Sequence, residues 1–310
     1  MATYHTTAEQ QQQLLSEGFT LLPNAIAPDL LLRWQKIARD LESKAVAAEE
    51  AGNPRHGACV INDQASARLI RQDDILGEDH DATLELLACP AMIAVARELC
   101  GRGVVPMQAD ILYKHQHPFP DIAWHQGAPH PRGFPYLNVG VYLDDADAND
   151  GCLRYVPGTQ GTLQDICTLA ESSGWEPPGM VEQPAKAGDI LVQDMMVLHG
   201  SPPKRSAGVR RTIYVEYRPV FGIEESAVQS DKWKELRKRL MGLVVRRADS
   251  NDWPAEWDSA LPMDLGCDEE EVAAILSLRE PPIPAVYCPH FPPHSIETND
   301  YPVPSDLRQR

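Results

Sequence analysis

Tyr136-Leu-Asn-Val-Gly-Val-Tyr-Leu143 is a stretch in which apolar side chains alternate with other side chains at a period of two. That period is typical of a β-strand with one buried face. Residues 209–217 repeat it, because Ile213, Val215 and Tyr217 fall on one face and Arg210, Thr212, Tyr214 and Glu216 on the other. Turn-forming residues at 147–151 and 157–158 separate the strands. The pattern predicts a double-stranded β-helix of the jelly-roll or cupin type.

Helices are predicted before these strands. Thr7 and Gln10 have the spacing of a capping box, and Gly18 would end the helix that the box opens. Pro28 opens a longer helix and Pro90 a third, because proline suits the first helical turn. One face of the longer helix is predicted to pack on the barrel through Leu30, Trp34, Ile37, Leu41 and Ala45.

The chain of 310 residues is predicted to form a single domain. Length alone favours about two domains, but barrels of about 200 to 250 residues commonly form one. We expect a helical N-terminal flank at 1–103, a β-helix core at 104–220 and a helical, Pro-rich C-terminal flank at 221–310. The predicted fold class is therefore mainly β with flanking α-helices around a jelly-roll core.

Composition limits the partners and the compartment. The net charge of −17 argues against a nucleic-acid polymer, because neutralising phosphates needs a basic surface. Seven cysteines without a Cys-x-x-Cys pair favour free thiols in a reducing compartment. Neither an apolar run of about 18 residues nor a secretory leader is recognised, which predicts a cytoplasmic protein without a membrane partner.

Four blocks of sequence carry a recognisable order. Trp124-His-Gln-Gly-Ala-Pro is followed by a Gly- and Pro-containing block at 149–160, by His199 and by Arg210. His125 and His199 are 74 residues apart, and Arg210 comes eleven residues after His199. This order resembles the phytanoyl-CoA dioxygenase family of iron(II)/2-oxoglutarate oxygenases over roughly residues 14–220.

The resemblance implies a role for each matching residue. His125 and His199 correspond to the two imidazole ligands of the iron, in a site where two histidines and one carboxylate usually occupy one face of the metal. Arg210 corresponds to the arginine that binds the far carboxylate of 2-oxoglutarate, and its planar fork suits that task. Lys114 and Gln108 lie where relatives place further 2-oxoglutarate contacts.

Gly127 stands where the family has the aspartate ligand. A chloride ion in the place of that aspartate leaves the net charge of the metal site unchanged, so a halide could fill the open position. Radical halogenases of this superfamily carry such a change. The resemblance therefore implies a halogenase that uses Fe(II), 2-oxoglutarate, chloride and O2 to chlorinate an unactivated C–H carbon.

Two other interpretations of Gly127 remain. One is a hydroxylase in which water takes the fourth place. The other is a metal-free binding protein, or a form inactivated by an introduced change, in which the glycine marks lost catalysis. The hydroxylase predicts a product that is independent of halide, and the binding protein predicts no decarboxylation of 2-oxoglutarate.

The substrate is indicated only weakly. His130, Trp124 and Tyr142 are candidates to line its pocket. The segment from Ser230 to Arg247 holds seven of the 28 basic residues against two acidic ones. A helix there could attract a phosphorylated small molecule such as deoxyadenosine monophosphate, or an acyl group on an acidic carrier protein. The alternative is a solvated helix face with Trp233, Leu236 and Leu240 packed inward.

Overall fold

The computed structural model describes residues 3–62, 66–116, 122–248, 253–262, 264–281 and 283–289. Its strands are β1 (Phe19–Leu22), β2 (Ala58–Asn62), β3 (Ala67–Gln72), β4 (Val104–His115), β5 (Ile122–Gln126), β6 (Leu137–Tyr142), β7 (Leu153–Val156), β8 (Val181–Gln183), β9 (Ile190–Asp194), β10 (Leu198–Ser201), β11 (Val209–Pro219) and β12 (Val286–Tyr287). They form one sheet in the order β1-β9-β6-β11-β4-β3-β2 and a second in the order β12-β5-β10-β7-β8. The described strands pair antiparallel within both sheets, and helices pack on the sheets. The predicted fold class, mainly β with a jelly-roll core, is confirmed.

Most of the helices come between strands along the chain. They are α1 (Ala8–Glu17), α2 (Pro28–Glu50), α3 (Ile75–Glu78), α4 (His80–Leu87), α5 (Pro90–Ala94), α6 (Ile166–Ser173), α7 (Val220–Ser226), α8 (Asp231–Arg247) and α9 (Asp268–Leu276). A π-helical segment (Val95–Cys100) continues α5, and 3-10 turns occupy Thr159–Gly161 and Ala255–Ala260. No helix in the described ranges is long and apolar enough to cross a membrane.

Local sequence signals place the first helices. Thr7 forms the expected capping box with Gln10, and Gly18 ends α1 in the left-handed conformation that glycine tolerates. Pro28 opens α2 and Pro90 opens α5. The buried stripe of α2 differs slightly from the prediction because Ala38, and not Ile37, is fully buried in it: Leu30, Trp34, Ala38, Leu41 and Ala45.

The two faces of β11 separate the core from the interior of the barrel. Ile213, Val215 and Tyr217 join the apolar core between the larger sheet and the helices. Arg210, Thr212, Tyr214 and Glu216 occupy the other face, as the alternation predicts, which places them between the two sheets. This polar interior is where the candidate functional side chains converge.

Three predictions about organisation are wrong. Strands do not begin near residue 104, because β1, β2 and β3 come from the N-terminal flank and join the larger sheet. The C-terminal flank is not only helical, since β12 pairs with β5. The cysteines are not all free thiols, because Cys167 and Cys288 form a disulfide. The Pro-rich segment at 291–293 lies outside the described residues.

Candidate active site

Two histidines face each other across the smaller sheet. His125 on β5 and His199 on β10 are direct cross-strand partners. Their ring centroids lie 4.0 Å apart at an angle of 50° between the ring planes. The sequence predicts both as metal ligands, and the antiparallel pairing brings them together although 74 residues separate them.

Each imidazole is held in the orientation that a metal ligand needs. The Nδ1 of His125 lies 2.8 Å from the carbonyl of Ala123, and the Nδ1 of His199 lies 2.8 Å from that of Val197. Each Nδ1–H therefore donates to the chain, which makes each Nε2 the atom with a lone pair for a metal; in the structure that of His199 accepts from the Gln193 amide at 2.9 Å. Burial lowers the pKa of His125 to about 4 and that of His199 well below its ordinary value. Both rings are neutral at pH 7, as ligation requires.

No third side chain of the usual kind completes this pair. In the ranges that the structure describes, no group of three or more His, Cys, Asp or Glu residues is placed to hold a metal ion. The two imidazoles correspond to the histidine part of the two-histidine, one-carboxylate triad of non-haem iron.

Gly127 is packed against the main chain of Met195. Its N–H donates to the Met195 carbonyl at 2.5 Å. A Cβ at position 127 would lie 2.4 Å from that carbonyl oxygen, far closer than a van der Waals contact. The space along the side-chain direction is therefore filled by Met195, and any side chain at 127 requires the backbone to move.

Gln126 fixes the segment that crowds Gly127. Its side chain is fully buried, and its Nε2 donates to the carbonyl of Met196 at 2.7 Å. The carbonyl of Thr162 accepts from the same amide at 3.0 Å, and the N–H of Gln164 donates to its Oε1 at 2.6 Å. The sequence analysis missed this residue, whose only sequence signal is its position between His125 and Gly127.

A buried cationic pair lies at one end of the barrel interior. Arg210 and Lys114 are cross-strand partners on β11 and β4, and they are 4% and 2% exposed. Lys114 Nζ donates to Ser201 Oγ at 2.6 Å, and Arg210 Nη1 donates to the carbonyl of Gly151. The Nε of Arg210 and the hydroxyl of Thr212 are buried without a hydrogen-bond partner. Unpaired buried donors beside two cations suit a dianionic ligand such as 2-oxoglutarate.

Arg211 is the neighbouring arginine that could have taken this role. Its guanidinium binds Asp144 through two contacts of 2.8 Å on the opposite face of β11. The alternation of the strand thus directs Arg210, and not Arg211, into the barrel.

Tyrosines fill the space around Arg210. Tyr142 is fully buried on the interior face, and its phenol interacts electrostatically with Arg210 and Tyr214. Burial raises the pKa of Tyr142 well above its ordinary value, so that the phenol is neutral. Tyr142 was predicted to line the substrate pocket, but the structure places it at the Arg210 end of the interior.

Trp124 was predicted to line the pocket, and the structure contradicts this. It neighbours His125 on β5 and therefore points to the other face of the sheet. Its indole donates to the carbonyl of Gly174 at 2.8 Å and packs with Ile166 of α6.

Gln108 does not accompany Lys114 as a 2-oxoglutarate contact. It lies six residues earlier on β4, about 20 Å along a strand. Its amide donates to Asp110 at 2.9 Å, and it lines a cavity with Glu216 and Arg237. The separation along the strand is the physical reason for this correction.

His130 is occupied within the protein. Its Nδ1 lies 3.0 Å from the carbonyl of Ala128, its Nε2 lies 3.0 Å from Arg132, and its ring stacks on Tyr136. Neither ring nitrogen is left for a substrate, so the structure gives no support to the predicted substrate contact.

Tyr287 is a site residue that no sequence pattern indicated. β12 pairs it with His125, and the two rings stack with centroids 4.7 Å apart. The adjoining Cys288 is bonded to Cys167 of α6. The C-terminal segment thus covers one side of the histidine pair.

A cavity lies between β4, β11 and α8, and Arg237 is one of the two arginines that line it. Gln108, Glu216, Gln229 and Arg237 are among the residues that line it. Glu216 accepts from Arg218 at 2.6 Å, and Arg218 contacts the sulfur of Met195 at 3.8 Å. These contacts connect the cavity to the segment that packs on Gly127.

Comparison with known proteins agrees with this geometry. A model of the phytanoyl-CoA dioxygenase (PhyH) family matches residues 14–212. L-proline trans-4-hydroxylase of Streptomyces griseoviridis is 27% identical over 168 residues, which cover 48% of this chain and 54% of that protein. The chain thus spans about half the length of this curated relative.

Solved structures share the fold. EvdMO1 is 25% identical with a TM-score of 0.58 over 67% of this chain and 49% of that chain. EctD from S. alaskensis with bound Fe is 22% identical with a TM-score of 0.57 over 70% of this chain and 78% of that chain. HygX from Streptomyces hygroscopicus with nickel and 2-oxoglutarate bound is 16% identical, with a TM-score of 0.55 over 70% of this chain and 89% of that chain. Because the family model covers more than half of the sequence, this protein belongs to the phytanoyl-CoA dioxygenase family of Fe(II)/2-oxoglutarate-dependent oxygenases.

Proposed function

We propose that this oxygenase is a halogenase that uses Fe(II), 2-oxoglutarate, chloride and O2 to chlorinate an unactivated C–H carbon of a small molecule. One observation carries the proposal. His125 and His199 are arranged as metal ligands, and in the described part of the chain no carboxylate joins them. A halide in the remaining place conserves the charge of a site that normally has an aspartate.

The residues present suit each part of this chemistry. When bound, the iron and 2-oxoglutarate supply the O2 activation that breaks a C–H bond. His125 and His199 would hold the iron, and Arg210 with Lys114 would bind the far carboxylate of 2-oxoglutarate. Tyr287, which stacks on His125, would shield one side of the bound iron from solvent.

Purified enzyme should form product with the isotope pattern of chlorine only when chloride is present. We expect 2-oxoglutarate to be decarboxylated in the same reaction, and mass spectrometry measures both products. A hydroxylated product of equal yield in halide-free buffer would favour the hydroxylase, which the 27% identity to a proline hydroxylase makes the second candidate. Absence of decarboxylation under all conditions would favour the binding protein.

We propose a phosphorylated small molecule as substrate, with a nucleotide such as deoxyadenosine monophosphate as the leading candidate. The segment from Ser230 to Arg247 as a whole does not support binding of a phosphate group. Most of its cations pair with nearby carboxylates: Lys234 with Asp231, Arg239 with Glu271, Arg246 with Asp268, and Arg247 with Asp81 and Asp268. Its apolar residues Trp233, Leu236 and Leu240 are buried, as the alternative interpretation expected.

Arg237 is the cation of this segment that faces the cavity. It is 8% exposed, and its guanidinium donates to the carbonyls of Met107 at 2.5 Å and Ile275 at 3.3 Å. Its Nε has no hydrogen-bond partner, and the carboxylate of Asp74, which also lines the cavity, interacts with it electrostatically. Burial lowers its pKa to about 10, which still leaves it charged at pH 7. A buried guanidinium with an unpaired N–H at a cavity favours an anionic group on the substrate.

Arg237→Met should raise KM for a nucleoside monophosphate by about 10-fold or more, because a charge-assisted hydrogen bond contributes about 1.5–3 kcal/mol. The KM for the unphosphorylated nucleoside should not change. Lys232→Met, on the exposed side of the same helix, is the matched control. An equal KM for the phosphorylated substrate in wild type and in Arg237→Met would contradict the assignment. Chlorination only of a carrier-bound acyl group would replace the nucleotide by a carrier protein as partner.

A further inference from the structure

Gln193 is the side chain that meets the metal-binding atom of His199. Its Nε2 lies 2.9 Å from the Nε2 of His199. Gln193 is on β9 of the larger sheet, directly across the barrel interior from the histidine pair, and it is 2% exposed. A neutral hydrogen-bond donor therefore lies on the lone-pair direction that a metal would take, and a metal bound about 2.1 Å from His199 Nε2 would displace the amide to a neighbouring position beside the metal.

The orientation of this amide is fixed by Tyr155. The phenol of Tyr155 donates to Oε1 of Gln193, so that the NH2 group is the end that faces His199. Phe19 stacks on the Tyr155 ring, with centroids 4.1 Å apart and an angle of 9° between the planes. The amide is thus presented as a donor and not as an acceptor.

We propose that Gln193 donates a hydrogen bond to the halide at the metal site, with Tyr155 as its positioning residue. The inference rests on the proposed halogenase function and adds the group that recognises the anion. Once a metal takes the lone pair of His199 Nε2, the NH2 group of Gln193 loses its acceptor. A buried donor without a partner costs about 1–3 kcal/mol, and an anion bound next to the imidazole removes that cost. A metal-bound water could accept the same hydrogen bond, but a chloride also supplies the negative charge that the absent aspartate would have given.

The test measures halide binding apart from turnover. Chloride is titrated into the anaerobic enzyme with Fe(II) and 2-oxoglutarate, and the change in the visible absorption of that complex gives Kd for chloride. Gln193→Leu should raise this Kd by about 10-fold or more, because a hydrogen bond to a charged group contributes about 1.5–3 kcal/mol. The affinity for Fe(II) and 2-oxoglutarate should stay within about three-fold. Tyr155→Phe should weaken chloride binding in the same direction but less.

Controls separate this role from packing. Gln72→Leu removes another buried amide, 1% exposed on β3, and should leave the Kd for chloride unchanged. An unchanged Kd in Gln193→Leu would overturn the assignment, while wild-type protein that shows no chloride response would refute the halogenase function itself. Loss of Fe(II) affinity in Gln193→Leu would assign the amide to the metal and would also overturn the proposal.

Discussion

His199→Ala is expected to weaken Fe(II) binding more than about 100-fold and to abolish decarboxylation of 2-oxoglutarate. Removing a residue that only hydrogen-bonds to a metal ligand already lowers metal affinity by about 10- to 100-fold. The proposed iron site has two imidazole ligands, so losing one of them should lower the affinity more. His125→Ala should act in the same way. Titration of the apoprotein with Fe(II) under anaerobic conditions measures the effect.

The matched control is His56→Ala, because His56 is exposed on the surface and does not face the space between the two sheets. It should bind Fe(II) as the wild type does. If His199→Ala retains wild-type affinity for Fe(II), the histidine pair is not the metal site and the assignment of the ligands fails.

Replacing Gly127 with aspartate should abolish chlorination. A second variant is needed because a steric clash alone could abolish activity: even a Cβ at position 127 would lie 2.4 Å from the Met195 carbonyl oxygen. Overpacking of this kind costs about 1–3 kcal/mol. Gly127→Ala should therefore lower Tm by roughly 2–12 °C, given about 2–4 °C per kcal/mol in a larger domain.

Gly127→Ala and Gly127→Asp distinguish packing from ligation. If the open position decides the chemistry, the alanine variant keeps a measurable ratio of chlorinated to hydroxylated product, and the aspartate variant shifts that ratio towards hydroxylation. Gly133→Ala, where no atom lies within 4 Å of the new Cβ, controls for a generic loss of glycine. A chlorinated product from Gly127→Asp at the wild-type ratio would contradict the account of the halide.

Structural features that depend on only a few neighbouring residues were predicted correctly from the sequence. The capping box at Thr7, the proline that opens α2 at Pro28 and the alternation of β11 depend on neighbouring residues alone. His125 and His199 followed from a family motif and not from physics, because nothing local shows that strands 74 residues apart will pair. Trp124 could have been placed correctly, since strand alternation puts it on the face opposite His125.

Contacts between distant segments were not predicted. Gln193 reaches His199 only because the two sheets face each other, although a lone amide in the apolar run of β9 was a usable signal. Tyr287 depends on β12 pairing with β5 and on the Cys167 disulfide, which no local pattern indicates. The crowding of Gly127 by Met195 likewise appears only in the folded structure, where it gives the glycine a packing role beside the halide role that we propose.

The most direct measurement is an anomalous diffraction map of an anaerobic crystal that contains Fe(II), 2-oxoglutarate and bromide. The account predicts iron on the Nε2 atoms of His125 and His199, a bromide bonded to that iron, and the amide of Gln193 next to the bromide. Iron that carries a protein oxygen in place of the bromide, or crystals without iron at the two histidines, would contradict it.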